Sequence, residues 1–316
     1  MKYVFVINGR RDKEHIVTSI EQQIRWHKHR SPQVVADFVV HVTKDADDAR
    51  RFVRSMGCEH PDEELCFVSC GGDGTISQVV SGVMDAGLTS AVHHVAVMGF
   101  GSGNDFIRYY SARAWRNVMA VFEGAPQPID VIRITCDEYP GQAFYCANVA
   151  HVGFDAEVAH IGNSLTVEGT KHPYVKAIWR ALIKEGLRSK ARVTVDGTVV
   201  NPSQRLTLCS FANNGYVGGG FYCAPRAKNN DGFIDVCLVR PVSLFTFLTL
   251  VGLYRDGKHL DSPRCQPLIT YTRAHHIEVD APRPKRLCLD GEVLTGTHFE
   301  IDILPGALSL WLQPEM

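Results

Sequence analysis

The 316-residue sequence has no excess of charge of either sign: 33 Lys and Arg face 34 Asp and Glu, a formal net charge of −1. No global field draws such a chain onto nucleic acid, so nucleic acid is not an expected partner, and attraction to an anionic surface has to be local. Long hydrophobic runs are missing too. The longest apolar stretch, residues 244–254, falls well short of the roughly 18 residues a spanning helix needs. The apolar residues 3–7 are too few for the core of a secretion signal. The 10 cysteines include no Cys-x-x-Cys pair and sit mostly among apolar neighbours, as Cys66, Cys237 and Cys288 do. That argues against a disulfide framework or a thiolate zinc site and for reduced thiols in a cytoplasmic protein. The 14 histidines include the pairs His93–His94 and His275–His276 but no His-Glu-x-x-His, so the zinc-hydrolase signature is absent.

What is present has a clear grammar. Residues 65–70 (LCFVSC) form a short apolar run that ends at Gly71-Gly72-Asp73-Gly74-Thr75, with a helical stretch expected at 76–84. A buried strand, a glycine turn and a helix N-terminus in succession make an anion site, because the first helical N–H groups lack intrahelical partners. Asp73 would repel a phosphate unless a divalent cation lies between them or the carboxylate handles a proton. A second junction follows: a strand at 96–100, the turn Gly101-Ser102-Gly103-Asn104-Asp105, and a helix expected over 106–121. Two such junctions about thirty residues apart suit neighbouring parallel strands whose carboxyl ends face one crevice. Strands at 2–9 and 37–43 and helices at 13–27 and 46–56 precede them, so an open α/β sheet is predicted.

Pro126-Gln127-Pro128 is expected to break this pattern. Beyond it come short β-rich runs at 129–135, 143–152, 191–195, 206–212, 232–239, 275–279, 286–289 and 298–303. The turns Asp196-Gly197, Asp231-Gly232 and Asp290-Gly291 read as hairpin signals, and this half is predicted to be an antiparallel sandwich or barrel. Two helices interrupt it. Residues 174–190 carry Val175, Ile178, Trp179, Leu182, Ile183 and Leu187 on one face and Lys176, Arg180, Lys184 and Arg188 on another. Such a helix either packs on the sheet with a solvated basic side or lies on an anionic bilayer. Residues 242–254 form a second, nearly uncharged helix, read as buried packing or as an apolar lip beside a lipid site.

Gly71–Thr75 followed by Gly-Ser-Gly-Asn-Asp-Phe-Ile-Arg at 101–108 resembles the catalytic domain of the diacylglycerol kinase, sphingosine kinase and bacterial lipid kinase superfamily. The resemblance continues in Ala212-Asn213-Asn214, Asn230-Asp231-Gly232, Gly257-Lys258-His259 and Asp290-Gly291-Glu292, nearly the whole chain. It implies a nucleotide-binding α/β domain over 1–128, to which 306–316 returns, and a β-sandwich lipid-substrate domain over 129–305. It also implies an enzyme that uses ATP and Mg²⁺ to phosphorylate diacylglycerol or a related lipid alcohol, in the cytoplasm and peripherally at a membrane surface. An NAD kinase-like enzyme and a non-catalytic lipid- or nucleotide-binding member stay open as alternatives, and a homodimer as an assembly.

On this resemblance Asn8, Thr43, Gly71, Gly72, Gly74, Thr75, Ser77, Ser102, Gly103 and Asn104 would hold the nucleotide, and Asp73 would act through Mg²⁺. Glu292 would be the general base, with Asp290 holding Mg²⁺ or orienting it. Asp231, with carbonyls of Lys228 and Phe233, would bind a second, structural Mg²⁺. The chain departs from the family at Gly9-Arg10-Arg11, where a proline and a small-residue loop are usual, and at Ser77-Gln78, where Asn-Glu is usual. Arg10 or Arg11 could face phosphates or be solvated.

Overall fold

The computed structural model describes residues 1–10, 13–30, 37–88, 90–110, 115–167, 173–184 and 186–315; Arg11 lies outside them. The chain forms two compact units, Met1–Asp130 with Gly306–Met316, and Val131–Pro305. It passes between them within the strands Ala125–Cys136 and Glu292–Leu312.

The first unit is built on a parallel sheet. Lys2–Ile7 lies between Asp37–Val42 and Leu65–Gly71, and His93–Gly99 follows next to Leu65–Gly71. Ser309 and Leu310, near the end of the chain, pair in parallel with His94 and Val95 on the far side. Leu65–Gly71 and His93–Gly99 are buried along their whole length, which is why they read as unbroken apolar runs rather than alternating ones. In register, Ile7 stands opposite both Val42 and Cys70, and Gly71 opposite Gly99. The carboxyl ends of the strands are therefore level along one edge. The helix Asp73–Asp85 buries Ile76, Val79, Val80 and Val83 and is clipped to Asp48–Glu59 by Arg50, which donates to both oxygens of Asp85 at 2.6 and 3.0 Å.

Three expectations are corrected here. The helix after the first glycine turn begins at Asp73, not Ile76, with Gly72 as its extended N-cap, so Gly74 and Thr75 belong to its first turn. Residues 106–121 do not form one helix. Asp105–Arg108 and Val118–Phe122 are separate, and Asn117 caps the second by accepting from the Met119 amide at 2.9 Å. Pro126-Gln127-Pro128 does not break the chain's course but lies in the outer end of the strand Ala125–Cys136, where both prolines are exposed and no ladder donor is needed.

The second unit is β-rich and antiparallel. Ile269–Ala274, Ile234–Val239, Leu208–Ala212, Val149–Gly153, His276–Leu289 and Glu292–Leu312 pair in that order. Arg192–Val195 pairs along the first part of His276–Leu289. Ile132, Phe211, Val236, Ile277, Phe299 and Ile301 lie in its core. The fold class is thus an α/β unit joined to an antiparallel sandwich. The run at 143–152 is two strands, Ala143–Cys146 and Val149–Gly153. The runs at 275–279 and 286–289 are one strand, irregular between Asp280 and Lys285. Asp196-Gly197 and Asp290-Gly291 both adopt positive φ, 45° and 78°, 45° and 93°, as tight two-residue hairpins require. Asp231-Gly232 is not such a turn: it ends a long connection, residues 213–233, between strands that pair. The helix foreseen at 174–190 is Pro173–Lys184, with Ser189 and Lys190 already in a strand. A further helix, Phe154–Val167, was not foreseen. Among the described residues no helix is long and apolar enough to cross a membrane.

Candidate active site

In the first unit the two glycine turns meet. A Cβ on Gly101 would stand 2.3 Å from the Gly72 Cα, so neither turn tolerates a side chain facing the other. The Phe100 amide donates to the Gly71 carbonyl at 2.8 Å. Asn104, at φ 53°, folds its side chain over its own turn, accepting from the Gly101 amide at 3.0 Å and donating to the Gly101 carbonyl at 2.8 Å. Asp73 joins the two turns, its Oδ1 accepting from the Phe106 amide at 3.0 Å.

The neighbouring strand ends are tied to the same edge. Asn8 Nδ2 donates to Thr75 Oγ1 at 3.2 Å, the Gly9 amide donates to Thr43 Oγ1 at 2.9 Å, and the Arg10 amide donates to Asn8 Oδ1 at 3.0 Å. A Cβ on Gly9 would fall 1.9 Å from the Thr43 carbonyl oxygen, which explains the glycine at this departure from the family pattern. Asn8, Thr43, Gly71, Gly72, Asp73, Gly74, Thr75, Ser102, Gly103 and Asn104 thus share one edge. Ser77 does not. It is 1% exposed, and its hydroxyl is enclosed in the unit without a hydrogen-bond partner. Gln78 instead donates to the Ala46 carbonyl. Burial pushes the nearby Cys66 and Cys70 thiols up, leaving them chemically quiet.

In the second unit the Asp290-Gly291-Glu292 turn is anchored rather than open. Asp290 Oδ2 accepts from the Ala147 amide at 2.9 Å and the Asn148 amide at 3.4 Å. Its Oδ1 accepts from the Val149 amide at 3.2 Å and the Cys146 thiol at 3.3 Å. Gly291 accepts from Asn163 Nδ2 at 2.7 Å, and half-buried Glu292 begins the return strand. With donors on both oxygens, Asp290 is a clasp on the bend between Ala143–Cys146 and Val149–Gly153, and the expectation that it holds Mg²⁺ does not fit this arrangement. Beside it His151 lies 3.0 Å from Asp155. Burial opposes its charge, but the Asp155 carboxylate and Cys288 outweigh that and raise the imidazole well above its ordinary pKa.

The Asp231 loop is likewise occupied by protein. Arg273 pairs with Asp231 Oδ2 and lies 4.0 Å over the Phe233 ring, while the Phe233 amide donates to Asp231 Oδ1 at 3.2 Å. Lys228 is exposed. With Arg273 on one oxygen and the Phe233 amide on the other, the Asp231 side chain is committed to protein partners rather than open to a structural Mg²⁺. Asp73 differs: its Oδ2 has no hydrogen-bond partner among the described residues. One carboxylate beside a phosphate site suits Mg²⁺, which is usually held by one or two carboxylates together with substrate phosphates.

Sequence reading missed a recess in the second unit. The helix Leu244–Arg255 covers a small hollow of about 60 Å³, lined by residues such as Val239, Phe247, Leu250, Val251, Leu268 and Ile269, with no charged side chain in its wall. The only signal was the helix itself, apolar on every side; its partners come from strands up to forty residues away in sequence.

Comparison with known proteins gives a consistent picture. A family model described as the diacylglycerol kinase catalytic domain matches residues 2–134, and one described as the YegS C-terminal NAD kinase beta sandwich-like domain matches residues 148–312. A protein of Xanthomonas euvesicatoria named "Probable lipid kinase YegS-like" is 28% identical over 284 residues, 87% of each chain. A diacylglycerol kinase of Bacillus subtilis is 26% identical over 257 residues, 80% of this chain and 78% of that one. A crystal structure of a diacylglycerol kinase from Bacillus anthracis shares the fold, with a TM-score of 0.67 at 20% identity over 99% of this chain and 97% of that one.

Proposed function

The chain belongs to the diacylglycerol kinase-like lipid kinases, phosphotransferases with an alcohol acceptor, and from that premise we propose that it uses ATP and Mg²⁺ to phosphorylate diacylglycerol or a related lipid alcohol. The observation that carries the nucleotide half is the meeting of Gly72 and Gly101 with Asp73 between the two turns. Main-chain amides of the Gly71–Thr75 and Gly101–Asn104 turns would receive the phosphates, and Asn8 and Thr43 would brace the adjoining strand ends. Asp73 would hold the metal ion, which when bound spreads the negative charge that develops on the phosphoryl oxygens.

For the acceptor half, the recess under Leu244–Arg255 supports a lipid: a wall without charge suits an acyl chain and no polar cosubstrate. In the transfer, the acceptor oxygen bonds to the γ-phosphorus as the bond from that phosphorus to the β-bridging oxygen breaks, and ADP leaves. Glu292 would take the hydroxyl proton, with Asp290 fixing the turn that carries it. An acceptor of this kind is dissolved in a membrane, so the enzyme would work at a bilayer surface.

The test is incubation with labelled ATP and Mg²⁺ and, separately, diacylglycerol micelles, sphingosine, undecaprenol and NAD. Label is expected in a lipid alcohol. Label in NADP, or ATP binding without transfer to any acceptor, would overturn the assignment.

A further inference from the structure

We propose that the outer faces of the helices Pro173–Lys184 and Leu244–Arg255 together form a surface that seats on an anionic lipid bilayer. The inference rests on the lipid-kinase reading and says which surface meets the membrane. Five of the nine large apolar side chains exposed among the described residues, Trp179, Ile183, Leu244, Phe245 and Leu248, stand on these two helices. Ile183 is 85% and Phe245 77% exposed, and apolar exposure concentrated in this way marks a contact surface. The helices are neighbours: Ile178 and Leu182 from one and Phe247 from the other pack on the same cluster with Phe154 and Ala181.

Each helix has the wrong outer face for water alone. On the first, Ala177 and Ala181 are fully buried while Lys176, Trp179, Arg180, Ile183 and Lys184 point outward, at the spacing of a single stripe. That helix contains no acidic residue, so its three cations are not neutralised from their own element. On the second, the inward face lines the recess while Leu244, Phe245 and Leu248 face out, and none of its residues is fully buried. A helix apolar on all sides is expected to be covered.

Charge decides what covers it. An apolar protein face would satisfy Phe245 and Leu248 but leave Lys176, Arg180 and Lys184 against an uncharged partner. A bilayer containing anionic headgroups satisfies both, with the apolar side chains in the acyl boundary and the cations at the phosphates.

The full chain is to be sedimented with phosphatidylcholine vesicles, with and without phosphatidylglycerol, in the absence of nucleotide and acceptor. Binding is expected on phosphatidylglycerol vesicles, weakening with salt. It should fall about 100-fold when Lys176, Arg180 and Lys184 are all replaced by alanine, and the Phe245→Ser/Ile183→Ser variant should lose partition while keeping its melting temperature. Brominated lipid should quench Trp179 fluorescence, a signal lost in Trp179→Phe. No vesicle binding, binding unchanged in the triple variant, or a dimer that Phe245→Ser dissolves would overturn the proposal. Because the measurement uses neither ATP nor acceptor, it fails or succeeds independently of transfer to a detergent-dispersed lipid.

Discussion

The glycine edge of the first unit and the carboxylate turns of the second handle their acidic residues in opposite ways. Asp73 spends one oxygen on the Phe106 amide and keeps the other without a partner, in a setting made of main chain. Asp290 takes three amides and a thiol, and Asp231 an arginine and an amide. An aspartate in a motif is open to a ligand only where the fold has left it an oxygen, and that depends on partners far away in the chain.

The largest test of this contrast is Asp73→Ala. Transfer should drop to background, a loss of at least about 100-fold, with the circular dichroism spectrum and melting temperature kept; residual turnover near wild type would place the open carboxylate elsewhere. Next comes Glu292→Gln, expected to lower kcat about 100-fold while ATP affinity, read by calorimetry, holds. Equal loss of affinity would make Glu292 a structural group like its neighbour. Asp290→Asn sharpens the same point from the other side. An amide NH₂ facing main-chain N–H groups should destabilise the second unit by about 1–3 kcal/mol and leave the Mg²⁺ dependence of turnover unshifted, whereas a shifted Mg²⁺ requirement would make it a metal ligand after all.

The smallest expected effect is a pH dependence confined to the second unit. On one face of its long hairpin, His276 pairs across the strands with Asp302, Glu278 with Glu300 and Asp280 with His298. His276 lies 2.7 Å from Asp302 and His298 2.8 Å from Asp280, and these contacts raise both imidazoles. Glu278 at 3.6 Å from His276 and Glu300 at 3.7 Å from His298 also face them, while Arg192 lies 3.0 Å from Asp280 and Arg133 3.9 Å from Asp302. A raised histidine contributes stability that is complete below its unfolded value of about 6.5 and is lost as pH climbs through the higher folded value. Melting temperature should therefore decline by about 1–3 °C above neutrality, discounted for solvent screening. The decline should flatten in His276→Asn/His298→Asn; an unaltered slope would remove the pairs as its cause.

What could be read in the sequence was local. The α/β grammar, the antiparallel half and the pairing of two strand–glycine–helix junctions follow from residues that speak through their own backbone, such as Gly71, Gly72 and Gly101. The rest depended on partners. Ser77 looks like a fourth hydroxyl for the nucleotide until Ile76 and Val79 turn that side of the helix inward. Asp231 looks like a metal ligand until Arg273, forty-two positions on, is folded against it. The break at Ala147-Asn148 is invisible because the residue that makes it, Asp290, lies on the other side of the sandwich sequence.

The strand that flanks His93–Gly99 has a consequence for how the protein is made. Ser309 bonds His94 at 2.7 Å, Trp311 donates to the Val121 carbonyl at 2.8 Å and Gln313 to the Val97 carbonyl at 3.0 Å. The unit begun by Met1–Asp130 is therefore finished by residues made only after the whole of the second unit, Val131–Pro305. Until they emerge, one margin of its sheet stays uncovered, and a nascent chain stalled before position 306 would be a chaperone client rather than a working fragment.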